Sequence, residues 1–257
     1  MHTLELNCFG ARPGEGNRAL VVEHGDAGLD ARRRLARARN TTCVFIDEGA
    51  DGALQVDFFY PHARSPLCLH ATLAVAAVLF ARTPGADTIA VTTAMHGQRL
   101  ELLRDGGDYF VRLAPQPVLQ VTPSDEDLAA LLGAVPVSPP CVASVGSPKL
   151  LVQVADAAAL YGLAPDLAGI AAWGKEHGVN GIYAWCRRTG GEFEGRNFNH
   201  LDPALEDGAT GVAAGALAVA LGHGLVLRQG RAAGLDCLIR TRIDGPALLV
   251  GGAAACV

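Results

Sequence analysis

One stretch limits what this chain can fold into more than any other: Glu206 to Leu221, EDGATGVAAGALAVAL. It opens with acids and a tight glycine-containing turn. It then runs through alanine, leucine and valine without a charge until beyond Leu221. Small residues of this kind let a helix pack closely against its surroundings, and Asp207 or Thr210 is placed to cap it. The N–H groups that open such a helix form a ready-made site for an anion. A second segment repeats the idea: Cys68 to Phe80, CLHATLAVAAVLF, also passes from a turn through Ala-Thr into an apolar helix. Aligning Thr72 with Thr210 sets the two copies about half a chain apart. Two similar helix starts, one per half, predict two lobes facing each other across a cleft.

With 257 residues the chain has room for two domains of ordinary size. The formal charge of −5 argues against nucleic acid as a general partner. No apolar run approaches the ~18 residues of a membrane span, and MHTLELNCFG lacks the features of a secretion signal. Seven scattered cysteines without a CxxC pair fit reduced thiols and a cytoplasmic protein.

Strands are expected at HTLELNCFG, at ALVVEHG from Ala19, at TTCVFID and at LQVDFFYP. The segment from Asp30 to Arg39 reads as a helix whose five arginines face solvent. Asp47-Glu48 reads as an exposed turn. Three strands joined by glycine turns follow the first apolar helix. Pro115 to Asp127 is the best linker, and its TPSDED end looks like a helix start. That divides the chain into lobes at 1–116 and 117–257, with the last strand able to cross back. The second half repeats the plan: a strand in SPKLLVQVAD, a helix in DLAGIAAWGKEHG, strands in GIYAWCRR and EGRNFNHL, then the central helix and closing strands. Runs of strands around a buried helix make this an α+β protein, each lobe a mostly antiparallel sheet, and not a doubly wound fold. GGEFEG has the wrong spacing for a dinucleotide fingerprint, and no G-x-S-x-G elbow occurs. Cys68-Leu69-His70 is too closely spaced for a usual zinc pair, so no metal is expected.

EDGATGVAAGAL at 206–217, CLHATLAVAAVL at 68–79, the RNF strand at 196–198, GEGNRALVV at 14–22, SVGSPKLLV at 144–152 and the QG at 229–230 resemble the PhzF-like isomerase/epimerase family. That family shares its two-lobed fold with diaminopimelate epimerase and proline racemase. The resemblance implies that each sheet wraps a central helix, that both helix starts face the cleft, and that a substrate carboxylate or carbonyl sits there. It implies proton-transfer chemistry without a cofactor, and an active-site histidine and aspartate at His70 and Asp207. Substrate contacts are implied for Asn17, Asn40, Cys68, Leu69, Ala71, Thr72, Gly208, Ala209, Thr210, Gly211 and Val212. The chain departs from the family pattern in three places. Asn40 stands where the family has its acid–base glutamate, Val212 where a serine commonly follows Thr-Gly, and Leu69 where a glycine usually lies. An amide cannot accept a proton at neutral pH. The proton transfer is therefore expected of the pair His70 and Asp207: the ordinary histidine pKa of ~6.5 suits it, and an adjacent carboxylate would orient the ring and raise its basicity. Cys68 matches a thiol base of the racemase branch, but no partner cysteine stands in the second lobe, so it reads as a buried spectator.

The reading is a cofactor-independent isomerase acting on a small unsaturated carboxylic or amino acid, in secondary metabolism, with alkyl-proline-type antibiotic precursors among the candidates. Two rivals are an enzyme of the same family doing cyclisation, hydration or elimination, and a small-acid binding protein without catalysis. Oligomeric state stays open, a homodimer being common for such folds.

Overall fold

In β4, Leu54–Phe59, Val56 and Phe58 point into the core, while Asp57 on the other face is held by two arginines. The computed structural model describes residues 1–25, 28–49, 52–200 and 206–257. Leu201, read above as the end of a strand, lies outside the described residues. The chain divides into two compact units, Met1–Arg112 with Gly251–Val257, and Leu113–Val250.

The first unit holds β1 (His2–Cys8), β2 (Asn17–Glu23), α1 (Leu29–Arg39), β3 (Thr42–Glu48), β4, the two-residue β5 (Arg64–Ser65), α2 (Leu69–Arg82), β6 (Thr88–Thr93), β7 (Arg99–Asp105) and β8 (Asp108–Leu113). Along the sheet, β1–β2 is antiparallel, β2–β3 parallel, β3–β4 antiparallel, β4–β6 parallel, and β6–β7 and β7–β8 antiparallel. The parallel pairs need crossovers, and α1 and α2 provide them. Every residue of α2 from Leu69 to Phe80 is buried, as a helix apolar on all sides requires. It packs on β1, β2, β3, β6 and β7. The end of the chain returns to this unit, with Cys256 opposite Leu6.

The second unit begins with the polar link. Ser124 accepts from the Asp127 N–H while Asp127 accepts from the Ser124 N–H, a reciprocal cap that opens α3 (Asp125–Leu132). There follow β9 (Cys141–Ala143), β10 (Lys149–Gln153), the short α4 (Ala157–Tyr161), α5 (Leu167–His177), β11 (Ile182–Arg187), β12 (Phe193–Phe198), α6 (Gly211–Leu221), β13 (Val226–Gln229), a 3₁₀ turn at Arg231–Ala233, β14 (Cys237–Asp244) and β15 (Ala247–Cys256). Here β9–β10 is antiparallel, β10–β11 parallel, β11–β12 antiparallel, β12–β13 parallel and β13–β14 antiparallel. The order of pairings repeats that of the first unit, with α5 and α6 as its crossovers. A Cβ at Gly215 would lie 2.7 Å from Val145 Cγ2, so α6 approaches the loop before β10 as closely as glycine allows.

Three sequence expectations change. Arg32 on α1 does not face solvent: it is 4% exposed and grips both Asp47 oxygens at 2.8 Å and Asp57 at 3.2 Å. Its guanidinium also covers the Phe45 ring at 4.6 Å. Asp47-Glu48 therefore ends β3 and is not a free turn. Thr72 and Thr210 are not equivalent: Thr210 caps α6, while Cys68 caps α2 and Thr72 lies one turn inside. Among the described residues no disulfide forms, and no helix is long and apolar enough to cross a membrane.

Candidate active site

In the first unit, β2 and β3 run parallel with Ala19 opposite Thr42. Asn17 and Asn40 thus stand at the same end of neighbouring strands. β1 ends there, Cys8 facing Asn17, and so does β4, Phe59 facing Cys43. The chain leaves β4 at this end and enters α2. Cys68 takes the extended cap conformation, φ −143° and ψ 103°, and its side chain makes no capping bond. The Thr72 N–H and Thr72 Oγ1 both donate to the Cys68 carbonyl, at 2.9 and 2.8 Å. Thr72 is fully buried and its hydroxyl is engaged within the helix. The N–H groups of Leu69, His70 and Ala71 precede that first bond and have no acceptor among the described residues. They carry the positive end of the helix dipole.

His70 is 6% exposed, with Nδ1 3.3 Å from Cys68 Sγ. Burial lowers its pKa to about 4. This corrects the expectation that a carboxylate beside it raises its basicity: desolvation penalises the imidazolium, and the ring stays neutral at pH 7. Asn40 is exposed and closes α1 in the left-handed region, φ 45° and ψ 43°, its N–H donating to the carbonyls of Ala36 and Arg37. Asparagine tolerates this conformation better than glutamate does, which gives a local reason for its presence. Asn17 is half-buried at the start of β2. Leu69 is buried and fills the space a glycine would leave at the start of α2.

In the second unit, the turn before α6 is braced from several strands. Gln229, 2% exposed at the end of β13, uses its whole amide. Its Nε2 donates to the Asp207 carbonyl at 2.9 Å and to Thr210 Oγ1 at 3.0 Å. Its Oε1 accepts from the Thr210 N–H at 3.2 Å and from the Tyr183 hydroxyl at 3.1 Å. Thr210 Oγ1 in turn donates to Asp207 Oδ2 at 3.3 Å. Gly230 has φ 105°, and a Cβ there would meet the Gly208 carbonyl at 2.7 Å, so the strand end needs glycine to reach the turn. Arg196 on β12 holds Glu206 with two bonds, 3.0 and 2.9 Å. Gly208, Ala209, Thr210 and Gly211 are buried, and Asp207 and Val212 are partly exposed. Thr210 and Ala209 contribute backbone and shape. Asp207 brings a partly exposed carboxylate to this turn.

Sequence reasoning missed the roles of Gln229, Tyr183 and Arg196. Two of them stood inside the motifs RNF and QG that carry the family resemblance, but their partners lie on other elements and no local pattern marks the roles. Among the described residues no group of three His, Cys, Asp or Glu side chains gathers as a metal site. The chemistry on offer is a set of unmet backbone donors at one helix start, a neutral imidazole beside a thiol, and a carboxylate on a rigid turn.

The chain was compared with known proteins. Residues 6–257 match the model of the phenazine biosynthesis-like protein family. An uncharacterized isomerase of Deinococcus radiodurans is 32% identical over 250 residues, covering 90% of this chain and 80% of the relative. The trans-2,3-dihydro-3-hydroxyanthranilate isomerase of Pseudomonas chlororaphis is 28% identical over 262 residues, covering 96% and 91%. The crystal structure of a PhzF-family phenazine biosynthesis protein from Bacillus anthracis superposes with a TM-score of 0.82 at 21% identity, covering 100% of this chain and 98% of that one. A family model spanning nearly the whole chain, with isomerases among its relatives, settles the class: this chain belongs to the phenazine biosynthesis-like (PhzC-PhzF) family and is an isomerase-type enzyme.

Proposed function

We propose that the chain shifts a proton, and with it a double bond or a stereocentre, on a small unsaturated carboxylic or amino acid, without a cofactor. The observation that carries this reading is the start of α6, which presents Asp207 on a turn fixed by Gln229. In this scheme Asp207 takes a proton from the carbon next to the substrate carboxylate or carbonyl. The electron pair left behind spreads onto oxygen, where fixed N–H donors hold it; one such donor contributes ~3 kcal/mol. In a double-bond shift Asp207 then returns this proton to the far carbon of the shifted double bond; in an epimerisation a second acid, such as water, protonates the opposite face and Asp207 gives its proton up to solvent. Burial keeps His70 neutral, so the base role moves to Asp207.

The name of the Pseudomonas chlororaphis relative describes an unsaturated ring amino acid as its substrate, which supports the substrate class and a place in secondary metabolism. Incubating unsaturated carboxylic acids and cyclic amino acids, alkyl-proline precursors among them, in deuterium oxide tests the reading. Deuterium at carbon in the presence of the protein supports it. Binding of the acid with no deuterium and no product overturns it. The carboxamide at Asn40 favours a second reading, in which the family's glutamate chemistry is gone and the site steers a cyclisation, hydration or elimination; a product that differs from the substrate by a closed ring, or by the gain or loss of water or another small molecule, would select it.

A further inference from the structure

Lys149, the first residue of β10, is 1% exposed. Its ammonium has three N–H groups and donates to the Asn180 carbonyl at 2.5 Å. Among the described residues no carboxylate is bonded to it. A buried cation with one hydrogen bond is costly unless a negative charge stands nearby. The topology says where that charge lies. β10 and β11 run parallel, and β12 runs antiparallel to β11 with Phe198 opposite Ile182. The start of β10 and the end of β12 are therefore at one end of the sheet, the end towards which β13, parallel to β12, runs to place Gln229 on the Asp207 carbonyl at the start of α6. The close approach of Gly215 to Val145 draws α6 against the loop that leads into Lys149.

We propose that Lys149 is a positioning residue for Asp207: its buried ammonium is the fixed counter-charge that keeps this carboxylate ionised at the start of α6. Burial lowers the Lys149 pKa to about 8 while Asp207 acts to raise it, so the two charges sense each other across the unit. The other titratable and charged groups on the packed elements are Glu206, already held by Arg196, Cys141 on β9, Tyr183, Cys186 and Arg187 on β11, Glu194 on β12, and Cys237, Arg240, Arg242 and Asp244 on β14. They are common to wild type and variant, so a difference between the two isolates Lys149. The inference rests on the isomerase reading for its catalytic meaning, but its test does not need a substrate.

The test is carbon-13 NMR of the Asp207 carboxylate, assigned by difference from D207N, titrated in wild type, Lys149→Met and Lys149→Arg. The expected result is a midpoint about one unit higher in Lys149→Met, a tenfold change, and near wild type in Lys149→Arg. An unchanged midpoint in a folded Lys149→Met protein overturns the proposal. Should Lys149→Met fail to fold, nitrogen-15 NMR of Lys149 in wild type and D207N replaces it. Linkage requires the Lys149 midpoint to fall by a similar amount in D207N, and no fall overturns the proposal. Where deuterium exchange is measurable, its acid limb moves up with the Asp207 midpoint in Lys149→Met. Absent exchange with a shifted midpoint refutes the isomerase reading and leaves the charge pairing standing.

Discussion

The two units repeat one order of strand pairings yet finish their buried helices differently. α2 begins on its own resources: Thr72 closes the first turn onto Cys68, and the three N–H groups before it have no acceptor among the described residues. α6 begins on a turn tied down by Gln229 from β13 and Tyr183 from β11, with Arg196 of β12 holding Glu206 just before it. The same scaffold thus yields one start fit to receive charge and one fit to hold a carboxylate still. Duplication supplies the frame, and a few polar residues at strand ends assign the roles.

The largest test of this division is Asp207→Asn. It keeps the shape of the turn and removes the base, so the rate of deuterium exchange at carbon should fall on the order of a thousandfold. The comparison breaks if Thr72→Val, in the other unit, costs as much. Next comes the brace. Gln229→Leu leaves the Thr210 N–H and the Asp207 carbonyl without their partner, and should lower stability on the order of 3 kcal/mol by chemical denaturation. Loss of stability far below that would mean the turn is held by other contacts.

The third test uses His70 and acid. The folded state binds the His70 proton only below about 4, while the unfolded chain binds it below ~6.5. Between these values the unfolded state holds more protons, so stability falls as pH falls. The loss from this group is on the order of 3 kcal/mol by pH 4. His70→Asn should remove that part of the pH dependence; an unchanged acid midpoint would show that His70 is not buried neutral in solution. The smallest effect belongs to Asn40. Its left-handed φ predicts that Asn40→Gly leaves stability within about 0.5 kcal/mol, whereas Asn40→Ala lowers it by about 1 kcal/mol. Equal losses for both would assign Asn40 a side-chain role beyond the cap.

Much of the frame was legible because it rests on local pattern. The alternation in LQVDFFYP, the Ser124–Asp127 cap and the charge-free run from Gly211 to Leu221 each announce an element from a few neighbouring residues. What escaped depends on partners far apart in sequence. Arg32 looks like its four neighbours on α1, and only Asp47 and Asp57 from two later strands bury it. Gln229 gives no local sign that Asp207, Thr210 and Tyr183 will use its four hydrogen-bonding positions. The one-turn misalignment of Thr72 and Thr210 arose because an alanine-rich helix carries no charge to mark its start. His70 was placed in the right motif, but its proton affinity follows from burial, which no short motif encodes.

The measurement that bears most directly on the account is the rate of deuterium entry at substrate carbon between pH 4 and 8, using protein dialysed free of metals and small molecules. A carboxylate base in place of a histidine predicts exchange that continues undiminished through pH ~6.5. A half-loss centred near pH ~6.5, the ordinary histidine value, or no carbon-bound deuterium at any pH, would contradict it.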